Sequence, residues 1–240
     1  MSEEMNLQSG KLYWPTTMEM KPTYKSLSED IECDICIIGA GSSGAQLAYM
    51  LKDSGAKVVI VDKRKVGAGS TSTNTALIQI LGDKTTTALV NSFGEKNTIL
   101  HYQLCQKAIE EIESTCRLLP IDSEYKVRDS LYFASTKEDI QELKTDYNML
   151  KKYGFQVDWL TQSQIRERYP FEKEAAIYSY NDGEMNPLKY VYGLLEACKE
   201  SGIEIYEQTE IVGKRLEKEM AFLYTKEKYC IKAKYVVFAG

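Results

Sequence analysis

Gly39, Gly41 and Gly44 follow the apolar run Asp34-Ile35-Cys36-Ile37-Ile38 and precede Ala45, Leu47, Ala48 and Leu51. The spacing predicts a buried strand, a tight turn and a helix starting near the last glycine. A helix N-terminus presents unpaired N–H groups and the positive end of its dipole, which suits a pyrophosphate. Gly39 would make the turn, Gly41 would admit phosphate to the backbone, and Gly44 would let helix and strand pack closely. Glycines at this spacing alone are a weak signal; the flanking strand and helix patterns supply the context that gives them meaning. A second apolar run, Lys57 to Val61, ends in Asp62, where an acid can accept hydrogen bonds from a ribose. The combination favours dinucleotide binding.

Beyond Asp62 lies Lys63-Arg64-Lys65-Val66-Gly67-Ala68-Gly69, then the hydroxyl-rich Ser70-Thr71-Ser72-Thr73-Asn74-Thr75-Ala76. Composition supports two readings equally: a flexible loop, or a second phosphate cradle built from hydroxyls and backbone amides.

The elements that must position these residues alternate in type. Residues 1–32 read as an extended arm whose Tyr13, Trp14 and Tyr24 pin it to a domain surface. A long helix is predicted from Glu95 to Leu118, strands at Leu131–Ser135 and Val157–Leu160, and a charged helix from Lys137 to Tyr153. Thr161 caps a brief helix. Ala175–Tyr180 reads as a strand closed by a turn at Asn181-Asp182-Gly183. A helix from Pro187 to Ser201 leads to a strand at Ile203–Tyr206. Short strands at Glu210–Arg215, Ala221–Thr225 and Lys228–Lys232 form a meander, and Tyr235–Gly240 a buried strand.

With 240 residues, a formal net charge of −5 and no basic stripe, the chain does not suit nucleic acid. No apolar run is long enough for a transmembrane helix, and the polar, acidic start is unlike a signal peptide. A cytoplasmic location is the default expectation. The six cysteines are scattered and read as free thiols. Cys33 and Cys36 match C-x-x-C, but in a strand residues three apart face opposite ways, so the two sulfurs are expected to diverge, and no second pair completes a zinc site. His101 is the single histidine, which excludes multi-histidine metal centres; no metal site is expected.

Four separated segments carry a resemblance: the strand-to-Asp62 unit, Gly67–Ala76, Asp182-Gly183-Glu184-Met185-Asn186-Pro187, and Tyr235–Gly240. The chain resembles the N-terminal part of FAD-dependent oxidoreductases of the D-amino-acid oxidase and glycine oxidase superfamily. Ser9–Trp14 and Ser70–Ala76 look like its bacterial glycine/D-amino-acid oxidase (deaminating)-like branch, some of whose members carry a C-terminal Rieske domain. The resemblance implies an α/β fold, a doubly wound FAD-binding Rossmann-like sheet of the glutathione-reductase type with an inserted mixed α/β substrate-domain portion. The implied partition is an arm at 1–32, FAD-binding segments at 33–90 and 185–240, and a helical linker with part of a substrate domain at 91–184.

By position, Gly39, Gly41, Ser42, Ser43 and Gly44 would hold the FAD pyrophosphate, with Asp62 and Lys63 at the adenosine ribose. The family more often has glutamate at the position of Asp62. Ser70, Thr71, Asn74, Thr75 and Ala76 would follow the diphosphate and ribityl chain, Ile211 would meet the adenine, and Ala239 and Gly240 would abut the nucleotide.

The implied activity is oxidation of an amino acid or other amine, with hydride transfer to the flavin; the electron acceptor and any oligomeric state stay open. Members of the superfamily continue well past the position of Gly240, so the chain is expected to be an N-terminal fragment. No catalytic residue is assigned, because the groups facing the flavin ring come largely from the part not represented. Tyr178, Tyr180 and Arg128 sit on substrate-domain strands, where a core or surface role is the more common one. The alternatives are a non-catalytic, truncated flavin-binding module and an NAD(P)-linked dehydrogenase.

Overall fold

β1 (Ile31–Ile38) runs into the glycine turn, α1 (Ser42–Leu51) follows, and β2 (Val58–Val61) is four consecutive buried residues. The computed structural model describes residues 10–240; the start of the arm, residues 1–9, lies outside the described residues. Next come β3 (Leu77–Ile78), α2 (Thr86–Phe93), α3 (Glu95–Cys116), β4 (Lys126–Phe133) and α4 (Ile140–Lys152). They are followed by β5 (Val157–Thr161), α5 (Gln162–Arg168), β6 (Ala175–Glu184), α6 (Pro187–Glu200) and β7 (Glu204–Tyr206). The remaining strands are β8 (Ile211–Leu216), β9 (Ala221–Thr225) and β10 (Cys230–Phe238).

These elements form two compact units. The first comprises the described residues up to Thr75, Cys116–Glu124 and Asn186–Gly240. Its sheet has six strands in the order β7-β2-β1-β10-β9-β8. β7, β2, β1 and β10 are parallel, and β9 and β8 return antiparallel as a meander. Parallel neighbours need a crossover, and α1 supplies it between β1 and β2. Ile37, Val59, Ile60 and Val61 are wholly buried, each contributing roughly 1.5–3 kcal/mol by leaving water. The arm is tied to this unit by the Trp14 indole, which donates to Asn74 O at 2.9 Å, and by the Tyr24 hydroxyl, which donates to Glu196 at 2.9 Å. It holds one 3₁₀ turn, Trp14–Thr17.

The second unit, Ala76–Thr115 and Tyr125–Met185, has a four-stranded antiparallel sheet in which β6 pairs with β3, β4 and β5. Ile80, Ile99, Tyr102, Leu143, Leu150 and Ile177 form its main apolar cluster. α5 opens with a reciprocal cap between Thr161 and Gln164 and contributes Ile165 to a smaller cluster with Leu160 and Ala176.

Three expectations about local structure are corrected. The sequence pattern predicts separate strands at 228–232 and 235–240, but Cys230–Phe238 is one strand, pairing with β9 through Ala233 and with β1 along its length. No turn closes β6 at 181–183. Asn181 takes a positive φ of 62°, which asparagine tolerates, and the register shifts opposite Arg128–Ser130 as a bulge while the strand continues to Glu184. The Cys33 and Cys36 side chains do not diverge. The amides of Asp34 and Ile35 both donate to Lys57 O, at 2.9 and 3.2 Å. Such a bulge resets the two-residue alternation, so both cysteines enter the cluster with Val59, Val61, Ile231 and Ala233. The interaction between the two thiols pushes Cys36 up and pulls Cys33 down from the ordinary thiol range.

Candidate dinucleotide site

The turn after β1 forms because side chains are absent where backbone segments meet. Gly39 has φ +115°, and a Cβ there would lie 2.9 Å from the carbonyl carbon of Ala239. A Cβ at Gly44 would lie 1.9 Å from Gly39 O, so the first turn of α1 rests directly on the end of β1. Gly41 precedes α1 with extended backbone and no side-chain cap. The Ser42 amide donates to Thr71 Oγ1 at 3.2 Å. The amides of Ser43 and Gly44 also belong to the first turn, for which an α-helix supplies no acceptor of its own.

Asp62 locks this turn to β2. Its Oδ2 accepts from the Ala40 amide and its Oδ1 from the Arg64 amide, both at 2.8 Å. Its own amide donates to Tyr206 O at 2.9 Å, and its carbonyl accepts from the Thr209 amide at 2.7 Å. The strand acid is therefore the keystone of the local backbone; a carboxylate has lone pairs left for a ribose hydroxyl.

The hydroxyl-rich stretch is a hydrogen-bonded turn. Gly67 has φ +67°, Ser70–Ser72 make a 3₁₀ turn, and the Ser72 hydroxyl donates to Gly67 O. The Asn74 side-chain amide donates to Thr71 O at 3.1 Å. Thr71 and Ser72 are buried, and Thr71 Oγ1 carries the link to α1.

An open cleft of about 340 Å³ lies where these segments meet. The structure brings Gly39, Gly41, Ser42, Ser43 and Asp62 to it from the first segment, and Ser70, Thr71 and Asn74 from the second. Ala239 and Gly240, past the end of β10, complete the lining, with the Ala239 amide held by Ile38 O at 2.8 Å. Gly44 serves from beneath, through packing. Lys63 and Thr75 are exposed and do not line the cleft. Ala76, with φ 67°, lies in the second unit and accepts from the Met185 amide. Ile211 opens β8 and packs against the Cys33–Cys36 cluster rather than lining the cleft. The sequence reading missed Arg64, Gly67 and Gly69, which do line it. The glycines sat in view within the hydroxyl segment, but a side chain's return path over a loop leaves no mark in a sequence.

On the second unit, Tyr178, Tyr180 and Arg128 are bonded within the protein. The Tyr178 hydroxyl donates to Asp129 and the Tyr180 hydroxyl to Asp158, each at 2.7 Å, while Arg128 meets Glu184 at 2.7 Å. The bond to Asp129 pushes the Tyr178 phenol up to about 12.

The residues present fit a dinucleotide: a glycine turn that side chains would fill, free helix amides, an acid at the strand end and a second hydroxyl-lined turn share one cleft. Comparison with known proteins agrees. The chain is 29% identical over 231 residues to the putative Rieske 2Fe-2S iron-sulfur protein YhfW of Bacillus subtilis, covering 96% of this chain and 44% of that protein. It is 22% identical to the gamma-glutamylputrescine oxidoreductase of Escherichia coli, covering 95% of this chain and 53% of that protein. The crystal structure of glycine oxidase from Geobacillus kaustophilus shares the fold with a TM-score of 0.73 at 23% identity, over 87% of this chain and 55% of that one. The chain thus spans about half the length of the curated relatives it matches. No helix among the described residues is long and apolar enough to cross a membrane. A family described as FAD dependent oxidoreductase matches residues 34–240, nearly the whole of the sheet and the site built on it, and the chain belongs to that family.

Proposed function

We propose that this chain binds FAD in the cleft between the Gly39–Gly44 turn and the Ser70–Asn74 turn and serves the oxidation of an amino acid or other small amine. The observation that carries the reading is the convergence of both turns and Asp62 on one cleft. α1 would offer its first amides to the pyrophosphate, and Asp62, already holding Ala40 and Arg64 in place, would meet the adenosine ribose. Ser70, Thr71 and Asn74 would follow the diphosphate toward the ribityl chain. FAD, when bound, supplies a two-electron acceptor for the substrate's C–N bond. The first unit is assigned to cofactor binding and the second to the substrate side. The names of the glycine oxidase and the gamma-glutamylputrescine oxidoreductase support a small nitrogen-bearing substrate. The family match favours FAD over the nicotinamide alternative.

The half-length span of the relatives supports a second reading, in which these residues bind flavin but turn over poorly by themselves. Anaerobic addition of amino acids and amines to the FAD-loaded protein separates the two. Bleaching of the flavin band by at least one of them is the result expected of an amine oxidoreductase. A flavin that dithionite reduces but no amine does would leave only the flavin-binding module.

A further inference from the structure

We propose that Arg64 is a phosphate-binding residue of this cleft, supplying the positive charge that its amides and hydroxyls lack. The inference rests on the FAD reading and concerns the pyrophosphate.

The Arg64 backbone is fixed from both sides. Its amide donates to Asp62 Oδ1 at 2.8 Å, and its carbonyl accepts from the Gln208 amide at 3.0 Å. The side chain turns back over the second cradle, where its Nη2 lies 2.8 Å from the point a Cβ on Gly69 would occupy. Gly69 thus leaves the space in which the guanidinium sits. Among the described residues, Arg64 is the sole cation lining the cleft. Arg64 is exposed like its neighbours Lys63 and Lys65, but of the three only Arg64 lines the cleft.

No carboxylate among the described residues pairs with the Arg64 guanidinium, whereas Arg128, Arg166 and Arg215 each have one. The one acid in the cleft, Asp62, has each oxygen engaged by a backbone amide. A planar group with five N–H donors and no acceptor therefore shares a small cleft with a helix N-terminus and the hydroxyls of Ser42, Ser43, Ser70 and Thr71. Oxygen anions of phosphate match such a fork. The helix dipole offers only about half a positive charge, which leaves most of a diphosphate's charge for Arg64. An arginine shortly after the strand acid could also face a ribose 2′-phosphate, so the test must separate the two positions.

The test measures binding of FAD, ADP, adenosine and adenosine 2′,5′-bisphosphate to the unaltered chain and to Arg64→Met, Arg64→Lys and Gly69→Ala. Arg64→Met is expected to weaken FAD and ADP about tenfold or more, the loss of one charge-assisted bond, and to leave adenosine unchanged. Arg64→Lys should recover part of that loss. Gly69→Ala, at an ordinary φ of −93°, should displace the guanidinium and weaken ADP without removing the charge. Raising the salt should narrow the gap between the unaltered chain and Arg64→Met. Unchanged ADP affinity in Arg64→Met would overturn the proposal, as would a loss confined to the 2′,5′-bisphosphate. An unaltered chain that binds ADP but not FAD would defeat the FAD reading while leaving Arg64 to be judged on ADP. One that binds neither nucleotide would defeat both.

Discussion

Gly44→Ala is expected to abolish retention of FAD and to destabilise the first unit by about 3 kcal/mol, the upper end of overpacking costs. The added methyl would stand 1.9 Å from Gly39 O, 3.0 Å from Gly39 C and 3.3 Å from Ile37 Cγ2. Only the last is a side chain able to yield. The first two are backbone of a glycine that is held by Val61 O at 2.8 Å and crowded by Ala239. α1 must therefore lift from β1, drawing its first amides away from the cleft and breaking the link from Ser42 to Thr71. Thermal unfolding and FAD retention after desalting check this, with the bonding of Trp14 to Asn74 making its fluorescence a local reporter. A variant that keeps FAD at the original affinity would mean that the close helix–strand approach is not what builds the site.

Asp146→Ala should unfold the second unit more readily by about 3 kcal/mol. Asp146 on α4 is 1% exposed. Its carboxylate accepts from the Thr86 amide at 2.8 Å, the Thr87 amide at 2.8 Å and the Thr87 hydroxyl at 2.6 Å. α2 thereby has its first amides satisfied by another helix. Truncation leaves two amides without an acceptor, each at about 1–3 kcal/mol. Asp146→Asn keeps one acceptor oxygen and should lose roughly half as much. Urea unfolding followed by Trp159, which packs beside Tyr147 of α4 at 5.7 Å, reads the effect within this unit. A shift below about 1 kcal/mol in Asp146→Ala would show that water replaces the carboxylate.

The difference between these two positions explains what the sequence could disclose. The need for glycine at 39, 41 and 44 arises within one strand–turn–helix, so their spacing exposes it, and β2 with Asp62 follows at the distance such a unit requires. Helix starts were similarly local: Thr161 and Gln164 cap α5, and Asn186 caps α6 with Pro187 at its first position. Asp146 was illegible because its partners Thr86 and Thr87 are far away in sequence. The bulge that turns Cys33 and Cys36 to one face depends on Lys57 O, on the next strand. β10 read as two strands because its first half answers β9 while its second half lies along β1 alone, and the side-chain pattern changes where the partners do. The same long-range dependence hid Arg64, whose position is settled by Gln208 and by the absence of a side chain at Gly69.

The cleft of the first unit is assigned as a flavin dinucleotide site. The most direct test of that assignment is the visible spectrum of the purified chain after incubation with FAD and desalting. Retained flavin bands near one equivalent per chain, lost in Gly44→Ala, are the result expected. A folded chain that stays colourless after FAD, at concentrations where NAD binds, would contradict the assignment.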